Sequence, residues 1–111
     1  MTIYSPGNIV LLDYPYTTGG KAKRRPALVV LDSGDADIVV ARVTSQIARS
    51  SFDVTVVDWA AAGLQLPSIA RLDKLLTLEK PLVVRTLGSL STADRKQIAG
   101  VLTTLVIERM Q

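Results

Sequence analysis

Residues 26–43, PALVVLDSGDADIVVARV, form the clearest β-hairpin pattern in this sequence. Pro26 to Leu31 is a short apolar run typical of a buried strand, and its proline stands at the start, where a missing N–H is tolerated. Residues 33–35, Ser-Gly-Asp, follow as a turn signal, and Asp37 to Val43 is a second apolar run. The pattern predicts two antiparallel strands joined by a tight turn.

The rest of the first 90 residues extends this β pattern. Three further stretches predict strands: Asn8 to Asp13, Phe52 to Val57 as an edge or half-buried strand, and Leu82 to Arg85, which Gly88 would close. Tyr14 to Arg24 is rich in Gly, Thr and Pro and predicts an exposed loop. Residues 58–63 fit either one helical turn or a loop. Ser68 to Leu78 is apolar, and periodicity alone leaves strand and helix open.

The C-terminal region carries the one clear helix signal. Ser91 is a good N-cap, and Asp94 three residues later suits a weak capping box or the positive end of the helix. Apolar residues then recur at helical spacing and predict a core-facing stripe, made of Ile98, Val101, Leu102 and Leu105. Short strands with one terminal helix predict a single domain over residues 1–111, mainly β, shaped as a small β-barrel or a strongly curved sheet.

Composition excludes several kinds of chemistry. The 111 residues contain no cysteine and no histidine, so disulfides, cysteine metal sites and histidine general bases are all absent. Any catalysis would then depend on Arg, Lys, Asp, Glu, Tyr, Ser, Thr or backbone groups, and we predict no cofactor. The N-terminus lacks a signal-peptide pattern, and no apolar run is long enough to span a bilayer, so a cytoplasmic location without membrane contact is expected.

Positive charge is concentrated near one predicted loop. The net charge is +3, and Lys21, Lys23, Arg24 and Arg25 lie within five residues of one another, beside two glycines. A flexible basic loop of this kind can bind a phosphate backbone, but the cluster alone favours a solvated loop that keeps the protein soluble.

Three segments carry side chains suited to phosphate chemistry. Arg24 and Arg25 stand at the mouth of a buried strand, where preorganised guanidinium groups can stabilise charge on phosphate oxygens. Thr44, Ser45 and Gln46 follow the next strand and offer hydrogen bonds to a phosphate or a base edge. The third segment contains Arg71, Asp73 and Lys74, which either face a groove or form an exposed ion-pair surface. Each segment alone also fits an ordinary surface role.

The order of these segments resembles the MazF/PemK toxins of type II toxin–antitoxin systems. That family has a strand starting Gly-Asp-Ile-Val, a glycine-containing loop, Arg-Pro-Ala-Leu-Val, a strand ending in Thr-Ser-Gln, a Ser-x-x-x-Leu-x-x-Leu-x-Thr-Leu segment and a C-terminal helix. The matching stretches here are 7–10, 25–29, 44–46 and 68–78.

The resemblance implies an SH3-like barrel of the CcdB/MazF type and a homodimer. It also implies metal-independent, sequence-selective cleavage of single-stranded RNA that leaves 2′,3′-cyclic phosphate and 5′-hydroxyl ends. By the same resemblance Arg25 and Thr44 are the catalytic pair, while the general base is not identified. The partner implied is a small antitoxin with an acidic C-terminal segment. We assign RNA contacts to Lys21, Lys23, Arg24, Ser45, Gln46 and Lys74.

Two departures from the family pattern affect substrate recognition. The loop has Thr17 to Lys21 where relatives often carry a Gly-Ser-Glu-Gln-like run, and Lys74 stands where they often have glutamine. Lysine cannot accept a hydrogen bond from a base, so a different RNA sequence preference is expected. Two alternatives stay open: a gyrase-binding toxin of the same fold, as in CcdB, and an inactive RNA-binding relative.

Overall fold

A computed structural model describes residues 2–14 and 23–111 of the chain, and within them six strands form one antiparallel sheet. The strands are β1 (Asn8–Tyr14), β2 (Lys23–Leu31), β3 (Asp37–Thr44), β4 (Asp53–Val56), β5 (Ser68–Glu79) and β6 (Val83–Ser89). Their order across the sheet is β4-β5-β3-β2-β1-β6. A 3₁₀ turn (Lys80–Leu82) joins β5 to β6. The helix α1 (Thr92–Leu102) follows and continues into a π-helical turn (Thr103–Ile107) and a 3₁₀ turn (Glu108–Met110).

The predicted fold class, mainly β with a C-terminal helix, is confirmed. The hairpin predicted over residues 26–43 is β2 and β3, which pair antiparallel. Residues 68–78, left open between strand and helix, belong to β5, which pairs with β3 on one side and β4 on the other. β4 is an edge strand, as expected.

The start of β2 differs from its prediction. The strand begins at Lys23 and β1 ends at Tyr14, so both ends of the predicted loop are strand, and Pro26 lies within β2. Lys23 to Pro26 pair with β1 only, because pairing between β2 and β3 starts at Ala27 opposite Arg42. This part of β2 has no neighbour on the β3 side, and a proline is tolerated at such an edge. The rest of that loop, including Lys21, lies outside the described residues.

Two contacts of the segment after β4 bring the ends of the sheet together and give it a barrel-like shape. Gly63, at a φ of +87°, lies directly against the carbonyl of Leu87 in β6. A Cβ placed on Gly88 would lie 2.5 Å from the carbonyl oxygen of Ala62. β6 continues through Gly88 to Ser89, so this glycine does not close the strand as predicted; it permits close packing of two backbones.

The helix begins as the sequence indicates, but Asp94 has a different partner. The Ser91 hydroxyl accepts a hydrogen bond from the Asp94 N–H at 3.2 Å, which confirms the N-cap. The Asp94 carboxylate does not complete a capping box; it accepts from the N–H groups of Val57 at 3.1 Å and Asp58 at 2.9 Å. Asp94 is 2% exposed and fixes the segment after β4 to the helix.

The core has two parts, one on each face of the curved sheet. The larger contains Ile98 of α1 with Leu28, Val43 and Leu72 from the sheet, and Val101 and Leu102 pack against it. The predicted helical stripe is therefore confirmed for these three positions, while half-buried Leu105 lies beyond α1. The smaller part is built from β1, β2, β3 and the end of β5. Among the described residues, no helix is long and apolar enough to cross a membrane.

Candidate active site

A cleft opens where β2 and β3 separate. Ala27 and Arg42 are the last pair between β2 and β3; beyond them β2 stays paired with β1 and β3 stays paired with β5, but the two strands no longer pair with each other. The gap is a cavity of about 380 Å³. Its lining residues are Leu11, Arg24, Arg25, Pro26, Arg42, Val43, Thr44, Ser45, Gly63, Leu64, Gln65, Leu66, Ser68, Arg85 and Leu87.

Arg25 and Thr44, the predicted catalytic pair, line this cleft together. Arg25 pairs with Leu12 of β1 and lies in the part of β2 that has no partner on β3. Thr44 is the last residue of β3. The Thr44 hydroxyl oxygen accepts a hydrogen bond from the Gln46 N–H at 3.2 Å. Since that oxygen is the acceptor, its own hydrogen can be donated to a phosphate in the cleft.

The cleft is cationic. Four arginines line it, Arg24, Arg25, Arg42 and Arg85, and none of its described lining residues is a carboxylate. Arg24 is paired with Asp13, Nε to Oδ1 at 3.2 Å, but both side chains are about half exposed or more, so the pair is weak. A site with these charges and several hydroxyl and amide groups is suited to a polyanion.

Three of these polar residues were not expected from the sequence. Arg42 and Arg85 lie inside β3 and β6, in stretches identified only as strands, and Gln65 lies in the segment before β5. The available signal was one arginine within each of these apolar strands. That signal did not reveal that both side chains reach the same cleft.

Only some of the other predicted RNA-binding residues lie at the cleft. Arg24 and Ser45 line the cleft, Lys74 lines a smaller neighbouring cavity, and the exposed Lys23 lines neither cavity. Gln46 is directed elsewhere: its Oε1 accepts from Arg71 at 3.4 Å and from Arg49 at 3.5 Å.

A buried ion pair supports the chain just after Thr44. Arg71 Nη1 lies 3.4 Å from Asp53 Oδ2, and the two side chains are 8% and 1% exposed. The Arg49 N–H donates to the same oxygen at 2.7 Å. Arg71 therefore does not belong to an exposed ion-pair surface; it links β5, β4 and the segment that carries Gln46.

The opposite wall of the cleft, residues 63–66, is held from two directions. Gly63 packs on Leu87 of β6, and the turn before it is anchored through Val57 and Asp58 to Asp94. Ala62, Gly63 and Leu64 also donate backbone hydrogen bonds within this turn, at 3.0–3.1 Å. The cleft walls are thus preorganised by the fold.

No metal-binding group of three or more Asp or Glu side chains occurs in residues 2–14 and 23–111. A cationic, hydroxyl-lined cleft of this kind has the charge and the hydrogen-bond donors that suit a phosphate group.

Comparison with known proteins gives the family. The sequence profile of the PemK-like, MazF-like toxins of type II toxin–antitoxin systems matches residues 5–106, and the chain belongs to this family. No curated protein matches the sequence at a significant level.

Solved structures share the fold at low sequence identity. A mycobacterial endoribonuclease in complex with its cognate antitoxin superposes with a TM-score of 0.71 at 22% identity, over 91% of this chain and 92% of that one. The Mycobacterium tuberculosis toxin MazF-mt6 gives 0.72 at 21% identity, over 87% and 93%. MazF from Deinococcus radiodurans gives 0.72 at 21% identity, over 96% and 98%.

Proposed function

We propose that this toxin is a sequence-selective, metal-independent endoribonuclease that cleaves single-stranded RNA. The observation that carries the proposal is that Arg25 and Thr44, on different strands, line one cationic cleft in a chain of the MazF-like family. The structural relatives that are endoribonucleases support the same activity.

The residues suit the chemistry of RNA self-cleavage. The 2′-oxygen forms a new bond to phosphorus, the bond to the 5′-oxygen breaks, and the products are a 2′,3′-cyclic phosphate and a 5′-hydroxyl. The nucleophile belongs to the substrate, so the enzyme must align the phosphate and stabilise charge on its non-bridging oxygens. Arg25 donates two hydrogen bonds to them and Thr44 donates one. The guanidinium groups supply the positive charge that a metal supplies elsewhere.

The described lining residues include no carboxylate that could accept the 2′-hydroxyl proton, so this proton passes to solvent. The 5′-oxygen takes a proton from solvent as it leaves. Arginine has a pKa above about 12 and acts here mainly through its charge.

The same cleft suits an antitoxin. An acidic C-terminal segment of a small partner, laid in the arginine-lined cleft, would exclude RNA by occupying the phosphate positions. The mycobacterial relative is bound to its cognate antitoxin, which supports an antitoxin as the partner. The site of action would be the cytoplasm.

A homodimer is also proposed. An apolar groove of about 360 Å³ lies between α1 and β2, bordered by Leu28, Val30, Ile98 and Leu102. A second copy of the chain would remove this surface from water.

The decisive test is a cleavage assay with purified protein, a long defined single-stranded RNA and excess EDTA, with mapping of the new ends. We expect discrete cuts with cyclic phosphate termini. Arg25→Ala should lower the rate about 10²–10³-fold, the effect of losing one preorganised donor. Thr44→Val removes the hydroxyl at nearly constant shape and should slow cleavage in a folded protein.

The matched control is Arg109→Ala, since Arg109 is exposed, lies over the Phe52 ring and does not line the cleft. Wild-type rates in Arg25→Ala would remove Arg25 from the mechanism. Intact RNA with folded protein would contradict the proposal and turn attention to a gyrase-type target.

A further inference from the structure

A second, smaller cavity adjoins the cleft and shares three residues with it. Its volume is about 120 Å³, and Arg25, Pro26 and Arg42 line both cavities. The remaining lining residues are Tyr14, Ala27, Val40, Lys74 and Leu76. A phosphate held by Arg25 in the cleft would therefore have a neighbouring nucleotide at this smaller cavity.

The sheet is irregular at this position. Ala41 of β3 lies opposite Leu75 of β5, but the next residue, Arg42, lies opposite Arg71, so residues 72–74 of β5 have no partner on β3. Such bulges redirect side chains and are frequent beside active sites. Here the irregularity brings Lys74 to the same cavity as Arg42, while buried Arg71 is held by Asp53.

The cavity combines an apolar lining with three cationic side chains that only donate hydrogen bonds. Ala27, Val40 and Leu76 supply the apolar surface, and half-buried Tyr14 adds an aromatic ring. Its charged groups, Arg25, Arg42 and Lys74, donate hydrogen bonds and accept none. Proteins that read single-stranded RNA place unstacked bases on such surfaces and bind their Watson–Crick or Hoogsteen edges.

We propose that this cavity is a nucleobase subsite that selects guanine beside the scissile phosphate, with Arg42 as the specificity-determining residue. Guanine presents two adjacent acceptors, O6 and N7, which match a guanidinium. Adenine and cytosine present amino groups that would face the donors of Arg42 and Lys74, and uracil lacks N7. The inference rests on the proposed ribonuclease activity and adds the base that is read.

The test uses a set of RNAs that are randomised on both sides of a single cut position, with cut sites mapped by sequencing. Wild-type protein should favour guanine at one adjacent position by roughly 5- to 150-fold over adenine, the range for one bidentate pair. Arg42→Gln should move the preference toward adenine, because glutamine pairs with adenine N6 and N7. Arg109→Gln makes the same change outside both cavities and should keep the guanine preference.

Substrate analogues test the same contact without altering the protein. Replacing that guanine by 7-deazaguanine removes the N7 acceptor and should slow cleavage, whereas inosine keeps O6 and N7 and should be cut like guanine. Cleavage with no guanine preference would overturn the subsite. An Arg42→Gln variant slowed equally on every sequence would also overturn it and would indicate that Arg42 contacts a phosphate. No cleavage of any RNA by folded wild-type protein would instead refute the proposed function on which it rests.

Discussion

Replacing Arg71 by methionine is expected to destabilise the protein strongly. The substitution keeps an unbranched apolar stem, two atoms shorter than arginine, and removes the charge that faces Asp53. Asp53 is then left as a carboxylate with 1% of its side chain exposed, and Gln46 loses one of its two donors.

The magnitude follows from what remains around Asp53. Leaving one partner of a buried ion pair unpaired costs about 3–5 kcal/mol. Asp53 keeps the hydrogen bond from the Arg49 N–H at 2.7 Å, so the lower end, about 3 kcal/mol, is expected. A domain of this size has a total stability of roughly 5–15 kcal/mol. With about 4 °C per kcal/mol, Tm should fall by about 12 °C.

The assay is thermal and urea unfolding followed by circular dichroism, with Arg109→Met as the exposed arginine control. The double variant Arg71→Met with Asp53→Leu should recover most of the lost stability, because no unpaired charge stays buried. A Tm within about 4 °C of wild type for Arg71→Met alone would refute the reasoning. Failure of the double variant to exceed the single one would do the same.

Three further perturbations follow from the fold. Asp94→Ala leaves the N–H groups of Val57 and Asp58 without their acceptor, so urea titration should show the free energy of unfolding lowered by about 2 kcal/mol or more. The control Asp58→Ala changes an exposed side chain and should alter the free energy of unfolding little. Gly88→Ala would place a Cβ 2.5 Å from the Ala62 carbonyl oxygen and should lower Tm. Gly100→Ala would place its Cβ in open space beside the helix and should raise the free energy of unfolding by about 0.5–1 kcal/mol. The pKa of Asp32 is lowered, chiefly by the hydrogen bond from the Tyr4 N–H and further by the Gly34 N–H and the Lys80 ammonium, while burial opposes this effect. The ionised Asp32 carboxylate therefore stabilises the fold above about pH 4, and this stabilisation is lost as pH falls through the lowered pKa. Asp32→Asn should accordingly be less stable than wild type at pH 7, and acid titration should show the difference shrinking below pH 4; a constant difference would contradict the assignment.

Much of the fold was predictable because the signals are local. An apolar run bounded by turn residues specifies a strand, and the hairpin of β2 and β3 needs only the residues between 26 and 43. The Ser91 cap and the stripe from Ile98 likewise depend on neighbours three or four positions away. The family followed from the order of motifs, and residues 5–106 match it.

The candidate site was predictable only in part. Arg25, Thr44 and Ser45 line one cleft, but whether Arg25 and Thr44 act on RNA stays a prediction. Gln46 belongs to the same motif, yet it binds Arg71, which is 25 residues away in sequence. No local pattern contains a contact of that separation.

The sequence by itself determined the order of strands and helix along the chain, the family, and the cationic character of the region around Arg25. The tertiary structure alone decided where β2 and β3 separate, and therefore which side chains share the cleft. It brought in Arg42 and Arg85 from different strands, buried Arg71 against Asp53, and turned Asp94 from a helix cap into an anchor for the cleft wall. The physical reason is that strand pairing and burial are set by residues distant in sequence, and these outweigh local preferences.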